Sequence, residues 1–262
     1  MTEKEFEERL RKLEKRIEEQ TKTENRAVRA FLSAVRKGAS RVIELLTRYY
    51  DPNAIAEIYT PLLVQVEKAL TSLFGSEILD LKDSSSWVNR YLFPALEEGF
   101  KDALFLFGEK GIVLSPELVK TSYQSTKIAI KGATDDIKNA VSRVLLQASA
   151  VSDMTLNEVM DALIDEHGFF RAVPKYRLET IARSELNRAY REAFNLVNKE
   201  LGAKKYRYIG PLDERTSAIC RANLGKVRTK EEWLKLNPLV FSYGLHPNCR
   251  HRLVPVPEVI KT

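Results

Sequence analysis

Cysteine is scarce in this chain. There are two among 262 residues, with three histidines and two tryptophans. Two cysteines cannot build the disulfide framework of a small secreted domain. Glycine and proline are also few, 11 and 10, which excludes collagen-like and low-complexity architectures. No apolar run approaches the roughly 18–20 residues of a membrane-spanning helix. The opening M-T-E-K-E-F-E-E-R is charged and has no apolar stretch of a secretory signal. The expectation is therefore thiols or metal ligands in a reducing cytoplasm, without a membrane span.

What remains is an ordinary globular composition, 44% hydrophobic and 30% charged. The charge is unevenly placed. Residues 1–167 hold 23 Lys/Arg against 27 Asp/Glu, and residues 168–262 hold 19 against 9. A basic last part on an acidic-to-neutral first part suits a polyanion, nucleic acid or an acidic protein surface. A solvated basic face with no ligand gives the same counts.

Helical spacing dominates the first 150 residues. Phe6, Leu10, Leu13 and Ile17 form one apolar stripe on a charge-dense segment. That stripe can pack on the body, pair with a second subunit or remain unattached. Thr21 and Glu24 have capping-box spacing, so a second helix is expected over 25–50. A third is expected over 54–74, with Pro61 kinking it or resetting its start. Ser86 is placed to cap the apolar stretch 87–107, which Pro94 interrupts. Ser115-Pro116 opens a helix over 118–130, Gly132 ends it, and Thr134-Asp135-Asp136 opens another. Apolar stripes of this kind are core before they are anything else.

The style changes near residue 151. Thr155 and Glu158 again have capping-box spacing, before a short helix over 156–166. His167 stands apart from the other histidines and is read as a helix-end or surface residue. A long helix is expected over 176–201, with Gly202 as its C-cap. Residues 204–209 alternate aromatic and basic side chains and favour a strand. Residues 252–256 supply a partner strand, with Pro255 placing it at an edge. The expected fold is mainly α with a small α+β C-terminal domain. A helical body precedes a long helix and a short antiparallel sheet closed by a Cys/His loop. The expected divisions are a charged amphipathic arm over 1–24, a helical bundle over 25–150 and a distinct domain over 151–262.

Both cysteines, and two of the three histidines, fall within 32 residues: Cys220, His246, Cys249 and His251. Zinc prefers four nitrogen and sulfur donors in a tetrahedron. H-P-N-C-R-H supplies three of them, and Cys220 joins from across a loop that a metal would staple closed. Cys249 and His251, two residues apart, point the same way on extended chain. The same residues also admit two buried free thiols with surface histidines, or a Cys220–Cys249 disulfide. An enzymatic alternative is a metal-dependent nuclease, with His246 or His251 as base, Asn248 orienting it and Asp213 or Glu214 converging.

At these residues the chain resembles the phage Mu F-type minor head proteins, the head-morphogenesis family of tailed phages. The resemblance rests on I-A-R-S-E at 181–185, Gly202, the aromatic-basic strand 205–209, and Asp213 with Arg215, Thr216 and Cys220. Gly225 and H-P-N-C-R-H at 246–251 complete it. It covers about residues 150–256. Many members carry C-x-x-C after the R-T pair, where this chain has Ser217, and close with C-R-C, where it has His251. One cysteine of each pair is present, and His251 keeps the ligand count at four.

The resemblance implies a minor capsid protein without enzymatic activity, in the capsid interior or at the portal vertex. It would pass through the host cytoplasm during assembly. Its partners would be the portal protein, the capsid or scaffolding protein, and phage DNA held without sequence preference. It would assist head assembly and DNA packaging or ejection. Structural zinc is the implied cofactor, at Cys220, His246, Cys249 and His251. Arg183, Glu185, Asp213, Arg215, Thr216, Gly225, Pro247 and Asn248 would be structural. The basic composition points to Lys204, Lys205, Arg207, Arg250 and Arg252 as phosphate contacts. A freestanding zinc-dependent DNA-binding protein is a further alternative, but no recognition-helix module is evident.

Overall fold

The computed structural model describes residues 2–51, 55–108, 111–150, 154–164 and 175–256. The fold is mainly α with a small three-stranded antiparallel sheet near the C-terminus, as the sequence patterning led us to expect. His167, its linker and the end of the 156–166 helix lie outside the described residues.

The long helices are fewer and longer than their punctuation suggested. α1 runs unbroken over Glu3–Tyr49. The capping-box spacing at Thr21 and Glu24 does not start a helix, because no proline or glycine stops the one already running. The Glu24 carboxylate instead accepts from Arg183 Nη1 at 3.1 Å. α2 spans Ile55–Glu77, with Pro61 inside it. A π-helical turn, Val88–Leu92, then leads into α3, Phe93–Phe107, whose first turn holds Pro94. Proline is tolerated there because first-turn amides have no intrahelical acceptor. α4, Pro116–Ala150, passes straight through Gly132. A lone glycine costs about 1 kcal/mol in a helix, too little to break one that packs well on both sides of it. Two starts do follow expectation. Ser115 Oγ accepts from Leu118 N at 3.1 Å, and Thr155 with Glu158 closes a reciprocal capping box on α5, Leu156–Leu163.

α6, Lys175–Glu200, leads into β1, Lys205–Ile209. Then come α7, Ala218–Asn223, and β2, Val227–Thr229. α8, Lys230–Leu236, α9, Val240–Tyr243, and β3, Arg252–Pro255, complete the order. β1 is the central strand, antiparallel to β2 on one side and β3 on the other. The third strand, β2, was not evident in the sequence; three residues are too few for a period-2 signal.

The chain divides into two compact units. The first comprises 1–26, 91–123 and 183–262, and the second 27–90 and 124–182. These cut across the divisions drawn at 24/25 and 150/151. Residues 1–24 are no separate arm: Phe6, Leu10, Leu13 and Ile17 are buried with Ala103, Leu106, Tyr190, Phe194, Ile209 and Val254.

Strand alternation gives the first unit two cores. Ile209 and Val254 face the helices α1, α3 and α6. Tyr206, Tyr208 and Leu253 face the other way, onto Cys220, Trp233, Val240, Leu245 and Cys249. On the helical side α3 and α6 approach closely. A Cβ at Gly99 would lie 2.1 Å from the Tyr190 carbonyl oxygen, so only glycine fits. In the second unit, α1 and the Trp87 segment meet at an edge-on Phe31–Trp87 pair, and Trp87 Nε1 donates to the Ala27 carbonyl at 2.9 Å.

Candidate metal centre

The second core of the first unit contains both cysteines. β1 fixes one wall. Tyr208 is wholly buried between Trp233, at 5.4 Å between ring centroids, and His251, at 5.2 Å and only 11° from parallel. This sandwich leaves the phenol one direction. Its oxygen lies 3.1 Å from both Cys220 Sγ and Cys249 Sγ.

Two local structures deliver the sulfurs. Ser217 caps α7, and its Oγ accepts from Cys220 N at 3.4 Å, which turns Cys220 inward at the third helical position. The loop before it is held by Thr216, whose Oγ1 contacts Pro211 O at 3.0 Å and accepts from Asp213 N at 2.9 Å. Asp213 makes a two-pronged ion pair with Arg250, at 2.7 and 2.5 Å. The second structure is the turn His246–Cys249, in which Asn248 adopts φ 61° and Cys249 N donates to His246 O at 3.2 Å. Gly244 precedes it with φ 79°, and a Cβ there would fall 2.6 Å from that of Cys249. Arg191, buried on α6, then ties the turn to the helix. It donates to the carbonyl oxygens of Cys249, His251 and Ser242.

Three of the four expected ligands converge. Cys220, His246 and Cys249 each place a ligand atom within 4.8 Å of the other two, and this group can hold a metal ion. The sulfurs are 3.7 Å apart, and Cys220 Sγ is 3.1 Å from His246 Nε2. Tetrahedral zinc with Zn–S bonds near 2.3 Å separates two sulfurs by about 3.8 Å. The sulfur edge thus already has the right length, and His246 would have to withdraw by about 0.4 Å. Its Nδ1 lies 2.6 Å from the Pro247 carbonyl, which orients the ring so that Nε2 faces Cys220.

His251 does not join the three in this structure. It falls outside the converging set, its Nδ1 4.0 Å from Cys249 Sγ, and its ring lies flat against Tyr208. The two-residue spacing does aim Cys249 and His251 at the same core. The imidazole stacks on Tyr208 and turns Nδ1 toward Cys249.

The two thiols are shifted in opposite directions by their contact. The Cys220 thiol, donating toward Cys249, holds Cys249 well below the usual thiol range, helped by His246, His251 and Arg191. Cys220 is pushed up by the same contact and by burial. His246 is raised by its hydrogen bond to Cys249. Burial pushes the Tyr208 phenol up, so it stays a donor. A cation entering here would displace protons from a site already inclined to release one.

The five basic residues proposed for phosphate contact do not form one surface. Arg252 is buried, stacked over Tyr190 at 3.4 Å and bonded to Gln20. Arg207 pairs with Glu7 at 2.9 Å, and Arg250 with Asp213. Aromatic stacking and carboxylates thus engage three guanidinium groups. Lys204 and Lys205 are exposed.

Among the family-motif residues, Arg183 bonds Glu24 and Asn25. Glu185 is buried against Arg188, at 2.7 Å. Gly225 donates its N–H to Tyr208 O at 2.8 Å. Arg215 and Pro247 are exposed. For the nuclease alternative, no carboxylate joins the converging ligands among the described residues. Both thiols are buried.

Sequence reasoning missed Tyr208, Trp233, Arg188 and Arg191. The arginines interrupt the apolar positions of α6 and read as its solvent face. Only the helix's burial on several sides, which one sequence does not reveal, makes them internal. Compared with protein-family models, with curated proteins and with solved structures, the chain matches none.

Proposed function

We propose that this chain is a minor structural protein of a tailed-phage head, associated with the portal vertex, whose C-terminal unit is pinned by a structural zinc ion. The observation that carries the reading is how the motif is used. Arg183, Glu185, Asp213, Thr216 and Gly225 all bond internally: Arg183 to Glu24, Glu185 to Arg188, and the other three in the loops and strand that flank the Cys/His core. A motif spent on holding a loop suits a scaffold better than a catalyst. Zinc fits the donor set of two sulfurs and one imidazole nitrogen. When bound it would cross-link α7 to the His246–Cys249 turn.

The role in packaging or delivery includes sequence-nonspecific DNA contact. Lys204 and Lys205 remain its candidates, with the exposed Lys226 and Lys230 that flank β2. Such contacts weaken with salt by a slope of about −0.9 per phosphate neutralised.

Co-expression with the portal, scaffolding and major capsid proteins of the same phage tests the role. The chain should co-purify with the portal and be present in mature particles. Its absence from both contradicts the reading. Incubation with plasmid and Mg²⁺, Mn²⁺ or Zn²⁺ should leave the plasmid intact; metal-dependent nicking would favour an enzyme instead.

A further inference from the structure

We infer that a metal at Cys220, His246 and Cys249 takes its fourth ligand as an oxygen on the Ser217 side, and that His251 serves as a brace. This rests on the zinc reading above and goes beyond it by assigning the remaining position.

The positions of the donors argue for it. Ser217 Oγ lies 2.8 Å from His246 Nε2, the same nitrogen that faces Cys220 Sγ at 3.1 Å. The cap that turns Cys220 inward holds Ser217 beside it, so both come from one turn of chain. Ser217 and His246 are only half-buried, whereas both cysteines are fully buried. The site is closed on its sulfur side and open on its nitrogen and oxygen side. An oxygen donor, the Ser217 hydroxyl or a water it holds, can complete the tetrahedron there.

His251 could take that place only by leaving its stack. Its ring lies 11° from parallel with Tyr208, and the Tyr208 phenol contacts both sulfurs. Rotating the imidazole toward the metal would remove one side of the sandwich that aims the phenol. Holding a hydrogen-bond donor against two thiolates is an outer-sphere role, worth about 10–100-fold in metal affinity.

The consequence is a site with two thiolates, one imidazole and one exchangeable oxygen. Cobalt(II) titration of the reduced full-length chain reads this directly. Thiolate-to-cobalt absorption counts sulfurs, and the d–d bands report coordination geometry. The wild type should give a tetrahedral spectrum with two thiolates. Ser217→Cys should raise the charge-transfer band about 1.5-fold, three thiolates for two, and tighten cobalt roughly tenfold or more. His251→Phe, which keeps a flat ring on Tyr208, should leave band positions and affinity within about threefold. Ser217→Ala separates the oxygen sources: a loss of roughly tenfold or more in affinity assigns the hydroxyl, and a smaller change assigns water. Near-ultraviolet circular dichroism of Trp233 checks that each variant is folded. The inference is overturned if the wild type gives the spectrum but Ser217→Cys adds no charge-transfer intensity, or if folded His251→Phe loses affinity tenfold. A wild type with no cobalt bands at all would remove the zinc reading itself, and the inference with it.

Discussion

The two compact units bury different chemistry. Among the described residues, every buried charged side chain is in the first: Asp102, Glu185, Arg188, Arg191 and Arg252. Among its described residues the second buries only the hydroxyl residues Ser86, Thr126 and Thr134 as polar groups. Apolar packing is non-directional and forgives changes that keep volume. Buried charges are directional, and losing one partner strands the other. The first unit should therefore be intolerant of single changes, and the second should accept them.

The sharpest contrast is between two glycines. Gly99, in the first unit, meets backbone at 2.1 Å, so neither α3 nor α6 can yield locally. Gly99→Ala should cost more than about 3 kcal/mol, or prevent folding, as read by chemical denaturation. Gly132, in the helix α4 of the second unit, has open space around it. Gly132→Ala should stabilise by roughly 0.5–1 kcal/mol. Equal effects at the two sites would undo the comparison.

Next in size is Arg191. Its guanidinium is buried and holds the carbonyl groups of Ser242, Cys249 and His251. Arg191→Met should destabilise the first unit by about 3–5 kcal/mol, because those carbonyls lose their donors. The matching change in the second unit, Thr134→Val, removes only a bond from Oγ1 to the Ile130 carbonyl and should cost about 1 kcal/mol or less. Urea titrations of the two variants measure the difference.

A smaller effect is expected at the surface of the Cys/His loop. The Arg250 guanidinium holds the Asp213 carboxyl well below its ordinary value of 3.8, aided by Thr216 and Arg215. A depressed carboxyl pKa means that folding binds the ionised form. The contribution is complete above about pH 4 and disappears as pH falls through the folded value. Because Asp213 is exposed, it is worth about 0.5–1 kcal/mol. Asp213→Asn should therefore destabilise at pH 7, with the difference from wild type shrinking as pH is lowered from 4 toward 2. A pH-independent difference would show that the pair contributes nothing through charge.

Most of the architecture was legible from periodicity, and the contrast between units explains the exceptions. Stripes such as Phe6, Leu10, Leu13 and Ile17 identify a buried helical face without saying what covers it. β1 could be read because Tyr206 and Tyr208 alternate with Arg207 and Ile209. The false breaks at Thr21 and Gly132 arose because capping and breaking signals act only where flanking packing is weak. The site was half legible. Scarcity of cysteine and histidine marked Cys220, His246 and Cys249, and the H-P-N-C turn brought two of them together. Spacing could not distinguish a ligand from a stacking partner, and His251 lies outside the three residues that converge. Composition could not distinguish an arginine facing phosphate from one stacked on Tyr190, so Arg252 was misplaced.

The central claim is that the Cys/His turn is a metal centre that holds the first unit together. Elemental analysis of full-length protein purified without chelator, followed by melting with and without a chelator, tests it most directly. Trp233, buried in that core, reports the transition in a Trp87→Phe background. The account predicts about one zinc per chain and a lower melting temperature once the metal is removed. Sub-stoichiometric metal, with a Trp233 transition that chelation does not move, would contradict it.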